Sequence, residues 1–254
     1  MRRGRLRPAG AALAAVLLAG CAPFSGPGAA PPAGKPARAG GQGQEMPPVL
    51  DHVRTADRVV FLTYDDEAGR DPRLTALLRE RRLPVTLFLT DAVAGPAYGD
   101  FARLRSVGAG LQNHTLDHRS LRGLPYAGQR AEICGQQTKL GSRFGVRPHL
   151  LRPPHGRYDD TTLRAAADCG ITAVVLWRAA LADDGTLAYT RGEHRLSPGD
   201  IVSVTSPSRT PDLLRRIEER GLRVARLEDY LHSGPSAFEG EAEGRSGGPG
   251  RSPR

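Results

Sequence analysis

Seven short apolar runs, at residues 59–62, 83–89, 111–113, 148–152, 171–177, 201–204 and 222–225, alternate with stretches whose leucines and alanines recur at helical spacing. Strands that alternate with helices pair in parallel, because a crossover helix must carry the chain back to the start of the next strand. Runs that are apolar throughout, instead of at every second residue, place the sheet between two covered faces. Seven such units fit a closed or nearly closed α/β barrel, a deformed (β/α)7 barrel, better than an open doubly wound sheet. Helices are expected at 71–82, opened by Asp71-Pro72, and at 101–107, 127–144, 159–169, 210–220 and 227–231. No glycine-rich phosphate loop follows the first run, which argues against a dinucleotide or nucleotide fold.

Polar clusters fall where the runs end. The first run leads into Thr63-Tyr64-Asp65-Asp66, the third into His114-Thr115-Leu116-Asp117-His118, and the fourth into Arg152-Pro153-Pro154-His155-Gly156. On a parallel barrel all three reach the C-terminal rim, where active sites on such scaffolds are built. Two adjacent carboxylates at a strand end can hold a cation and accept a proton, although the same pair also reads as a helix N-cap and turn. Histidines separated by three residues can turn their ring nitrogens to one cation, with Thr115 placed to fix the loop through its hydroxyl. Asp66 is the natural third ligand, leaving an open position. The absence of His-Glu-x-x-His removes a zinc-protease reading.

Residues 1–21 combine Arg2, Arg3, Arg5 and Arg7 with an apolar segment from Ala11 to Leu18 and small residues before Cys21. That is the pattern of a secretory signal, too short to span a bilayer as a mature helix. Residues 22–50 are mostly Pro, Gly, Ala and Ser and read as a flexible linker, and 234–254 as a disordered tail, leaving 51–233 for one domain. The chain carries a net charge of +9, with Lys35 and Lys139 its only lysines. So uniform a preference for arginine suggests a coding bias, and no basic block is interleaved with aromatics, so nucleic acid is discounted as a partner. Anionic wall polymer or lipid head groups suit an exported basic protein better. Cys134 and Cys169 either pair or serve as small buried hydrophobes.

In order and spacing the three rim motifs resemble those of the polysaccharide deacetylases of the NodB-homology type, carbohydrate esterase family four, over about residues 58–231. The resemblance implies a barrel that hydrolyses an acetyl group from an aminosugar or a sugar hydroxyl of a cell-wall or chitin-like polysaccharide, and a monomer is expected. It implies Asp65 as general base, with Arg152 orienting it, and Asp66, His114 and His118 as ligands of one divalent metal ion, zinc first, with cobalt or nickel as alternatives. Tyr64, Pro153 and Trp177 would bind substrate. Leu18-Ala19-Gly20-Cys21 similarly resembles the lipobox of bacterial lipoproteins, which implies lipidation at Cys21 and anchorage at the outer face of the cell membrane. Two departures bear on turnover. Thr205 stands where the family carries a histidine acid, and Ala180 where it carries that acid's aspartate partner. Glu67 replaces a motif glycine, and His155 stands in a usual tyrosine position, from which it could supply the missing proton. An active enzyme, a degenerate glycan-binding member and a structural metal protein all remain open. Asp183, Asp184 and His194 are further titratable residues without an assigned place.

Overall fold

The computed structural model describes residues 45–231; the signal segment, Cys21, all but the end of the linker, and the tail lie outside them. Ten strands form one sheet: β1 (Val49–Leu50), β2 (Val59–Asp65), β3 (Val85–Leu89), β4 (Gly110–Asn113), β5 (Leu150–Leu151), β6 (Ala173–Val175), β7 (Ala179–Leu181), β8 (Leu187–Tyr189), β9 (Ile201–Val204) and β10 (Arg223–Val224). The helices are α1 (Asp66–Gly69), α2 (Pro72–Arg81), α3 (Asp91–Ala94), α4 (Tyr98–Ser106), α5 (Tyr126–Phe144), α6 (Asp160–Asp168), α7 (Thr210–Glu219) and α8 (Leu227–Leu231). The strands lie in the order β1-β6-β5-β4-β3-β2-β9-β7-β8, with β10 beside the start of β2. Only the β7–β8 pair is antiparallel among these ladders. The result is the deformed barrel expected, a curled α/β sheet with helices outside it.

All seven anticipated strands form. The three unanticipated ones, β1, β7 and β8, have two or three residues each, too few for hydrophobic periodicity to register. β1 also corrects the domain boundary, because Val49 and Leu50, assigned to the linker, pair with Val174 and Val175. Asp51 then bridges the gap beside β9: its carboxylate accepts from Arg178 and Arg191, and Val53 donates to the Gly199 carbonyl. Gly199 is left-handed, and a Cβ there would lie 2.0 Å from the Val53 oxygen, so this closure requires glycine.

Successive side chains of β2 point to opposite faces. Val60, Leu62 and Tyr64 pack outwards against Leu74 and Leu78 of α2, Phe101 of α4 and Leu213 of α7. Val59 and Phe61 point inwards with Phe88, Leu150, Val175 and Ile201, closed off by Leu227 of α8. Thr63 and Asp65 continue the inward row, which delivers Asp65 to the cleft.

Cys134 of α5 and Cys169, the residue after α6, are joined in a disulfide with their Cα atoms 5.0 Å apart. The bridge constrains the unfolded chain across a 35-residue separation. Cys134→Ser/Cys169→Ser should therefore lose about 3 kcal/mol of stability. Thermal unfolding with and without a reductant measures this, and equal melting temperatures for oxidised and reduced protein would exclude the contribution.

Candidate active site

Asp65 ends β2, Asp66 opens α1, His114 follows β4 and Arg152 follows β5, so parallel strands bring residues up to 87 apart in sequence to one rim. Arg152 organises the centre. Its side chain is 0% exposed, donates from Nη1 to Asp65 Oδ1 at 2.9 Å and from Nη2 to Thr63 Oγ1 at 2.7 Å, and lies over the Phe88 ring at 4.2 Å. The guanidinium is held by these two bonds and by the aromatic ring under its face, while its buried Nε has no hydrogen-bond partner. Burial by itself would raise the Asp65 carboxyl; the charge of Arg152 and its hydrogen bond to Asp65 oppose this, and the group is held below its usual 3.8. With Oδ1 tied to Arg152, Oδ2 faces the histidines, 4.0 Å from His114 Nε2.

His114 is buried, and its Nδ1 lies 2.7 Å from the Arg152 carbonyl. A carbonyl only accepts, so Nδ1 carries the proton and Nε2 presents its lone pair. Burial, opposed by the Asp65 charge, pushes this imidazole below 6.5, which keeps it neutral near pH 7. His118 Nε2 stands 3.2 Å from His114 Nε2. That separation suits a hydrogen bond, and equally two nitrogens about 2.0–2.1 Å from a shared cation. Asp66 is 3% exposed and its Oδ2 accepts from the Thr90 backbone N at 2.8 Å and from the Thr90 hydroxyl. Its charge acts on His114. Among the described residues no three His, Cys, Asp or Glu side chains already converge on one ion position. The two imidazoles are spaced as a shared cation would need them, whereas Asp66 Oδ2 is held by Thr90.

The loop from His114 to His118 is fixed otherwise than by the Thr115 hydroxyl, which is buried with no hydrogen-bond partner. Asn113 Oδ1 accepts from the Thr115 backbone N, and Glu132 Oε2 from those of Leu116 and Asp117. Glu132 comes from the buried stripe of α5, and a carboxylate on the face that also carries Ile133, Leu140 and Phe144 is the sequence signal that could have revealed it. The braces have strain to hold: of the four non-glycine residues with positive φ among those described, Thr115, His118 and His155 are at this site. Each costs of order 1–3 kcal/mol.

Two residues expected to touch substrate have withdrawn side chains. Tyr64 is 0% exposed and its hydroxyl lies 2.8 Å from Thr210 Oγ1, because the two-residue strand period turns it to the helix layer. Pro153 is also buried. Trp177 does reach the cleft: it is half-buried, with its ring 5.4 Å from the Arg152 guanidinium. His155 is exposed, with its ring centroid 4.9 Å from that of His118. Glu67 is exposed in the first turn of α1. The single proton of the Thr205 hydroxyl is shared between the Leu181 carbonyl, 2.9 Å away, and Asp183 Oδ1, 3.2 Å away. Asp184 accepts from the Thr186 backbone within a turn, and His194 stacks on Tyr189.

A parallel barrel with a carboxylate–arginine pair beside two facing imidazoles defines a hydrolase-type rim site. By its sequence and fold the chain belongs to the polysaccharide deacetylase family, carbohydrate esterase family four: the family description "Polysaccharide deacetylase" matches residues 52–174. An uncharacterized protein of Streptomyces coelicolor is 67% identical over 249 residues, covering 91% of this chain and all of that one. The peptidoglycan-N-acetylmuramic acid deacetylase PdaA of Bacillus subtilis is 22% identical over 192 residues, covering 70% and 73%. Among solved structures, a family 4 carbohydrate esterase from Bacillus anthracis superposes with a TM-score of 0.63 at 20% identity, over 72% of this chain and 87% of that one. A family 4 pseudoenzyme from the same organism gives 0.63 at 17%, over 73% and 69%.

Proposed function

We propose that this protein is an exported, lipid-anchored, metal-dependent deacetylase of N-acetylated cell-wall glycan. The observation that carries the reading is the Asp65–Arg152 pair set against the facing Nε2 atoms of His114 and His118. A divalent ion held by Asp66, His114 and His118 would polarise the acetyl carbonyl and acidify water. Arg152 keeps Asp65 ionised and occupies one of its oxygens, leaving Oδ2 to take the proton of the attacking water. The His114 tautomer, set by the Arg152 carbonyl, keeps a lone pair directed at the cleft. Trp177 offers an aromatic wall against which a sugar ring can pack. The relative that acts on peptidoglycan supports the choice of glycan.

Amide cleavage also needs a proton for the departing amine. Ala180 lies in register with Ser203, two residues before Thr205, so neither half of the expected acid dyad is present. His155, beside His118, is the imidazole able to replace it. The same two substitutions favour a second reading, a family member that binds wall glycan without turnover. Acetate release from N-acetylglucosamine oligomers and from an acetyl ester decides between them. An active enzyme should release acetate from both, and His155→Ala should slow the amide by roughly 10²–10⁴-fold while sparing the ester, whose alkoxide leaves without an acid. Release from neither substrate by the metal-loaded wild type would reject the enzyme in favour of the binding protein.

A further inference from the structure

We infer that the rim opposite the cleft is a docking face for an anionic membrane surface, a reading whose choice of partner rests on the lipobox and not on turnover. The observation is a topological sorting of charge. Each major helix is followed within a few residues by the next parallel strand, so helix C-termini gather where strands begin and helix N-termini gather at the cleft. The last turns carry Arg79 and Arg81 in α2, Arg105 in α4, Arg143 in α5 and Arg216 in α7, against Glu80 in α2, Asp168 in α6, and Glu218 and Glu219 in α7. The first turns carry Asp91, Asp100, Asp160 and Asp212. In α2, α4 and α5 this placement complements the helix dipoles, and there it leaves an excess of arginine facing away from the cleft.

Within that rim, Arg79, Arg82 and Arg226 line a cavity of 470 Å³ together with Leu83, Pro84 and Val107. Arg226 is tied to the Gly108 carbonyl at 2.8 Å. Arg79, Arg81 and Arg82 are exposed, and among the described residues no carboxylate lies within ion-pair distance of them. Arg79, Arg81 and Arg82 outnumber the exposed Glu80 among them, and the cavity that Arg79 and Arg82 line with Arg226 sets cations beside an apolar wall, which matches a phosphate head group with its glycerol backbone. The chain itself selects the partner. β1 runs parallel to β6, so the chain enters the described domain at this same rim, and the expected acylation site Cys21 precedes that entry in sequence. Met46, one of the two exposed large hydrophobic residues described, stands there at 49% exposure. Docked in this way, the domain would turn its cleft away from the bilayer, towards the wall.

The test uses the full chain carrying Cys21→Ser, so that no acyl group contributes, and sedimentation with vesicles of phosphatidylcholine with or without phosphatidylglycerol at low salt. Arg79→Ala/Arg81→Ala/Arg82→Ala should weaken binding to the anionic vesicles roughly a hundredfold, each arginine near such a surface being worth about fivefold. The charge-matched cleft-side set Arg119→Ala/Arg122→Ala/Arg157→Ala should change it less than about threefold by the same reckoning. Replacing the first three arginines by lysine should preserve binding, which separates charge from any effect on folding. Equal losses in both alanine sets, or none in the first, would overturn the proposal. So would a first set that keeps its hold on vesicles but releases soluble poly(glycerol phosphate), because the face would then serve a wall polymer.

Discussion

Asp65→Asn should lower acetate release by roughly 10²–10⁴-fold, and Asp65→Ala should in addition cost about 3 kcal/mol of stability. The larger loss comes from Arg152. Its guanidinium is wholly buried, and once Asp65 is gone only Thr63 Oγ1 still accepts from it. Asparagine keeps an acceptor but not the charge, so it should fall between wild type and alanine. For a domain of this size the alanine variant should melt about 6–12 °C lower. Because Asp65 is held below the 3.8 of a free carboxyl, its contribution is present above that value. It fades as the pH falls through the lowered folded one, so wild type and Asp65→Asn should converge in strong acid. Calorimetric melts at neutral pH and at about pH 3 test both statements. An unchanged melting temperature for Asp65→Ala at neutral pH would mean that the pair between the buried Arg152 and the part-exposed Asp65 does not form.

His114→Ala should abolish binding of the divalent ion that the proposed function requires. Calorimetric titration of zinc into the wild type should give one site, and His118→Ala should weaken it by at least about a hundredfold, losing a direct ligand where even a supporting group is worth about 10–100-fold. Thr90→Val is the more searching variant. It removes one of the two hydrogen bonds that hold Asp66 Oδ2 and touches no proposed ligand nitrogen, so it should cost about 10–100-fold in affinity through orientation alone. Zinc retained at full affinity by both His114→Ala and Asp66→Ala would reject the assigned ligands.

What the sequence by itself determined is the scaffold and the chemistry gathered on its rim. Apolar runs ending in Asp65-Asp66, in His114 with His118 and in Arg152 implied parallel strands that carry these groups to one end, because every strand of a parallel barrel leaves the core on the same side. Only the tertiary structure decided what surrounds them. Thr63 and Phe88 under Arg152, Thr90 beside Asp66, and Glu132 bracing the histidine loop come from elements far apart along the chain, and local periodicity carries no record of which side chain faces which. Tyr64 shows the same limit from the other direction: it is adjacent to Asp65 in sequence, yet the alternation of a strand sends one to the helix layer and the other to the cleft. Nor could the sequence show that β1 closes the sheet or that the arginines at helix ends share a rim. Both depend on where strands start in space, and that is set by packing of the whole barrel.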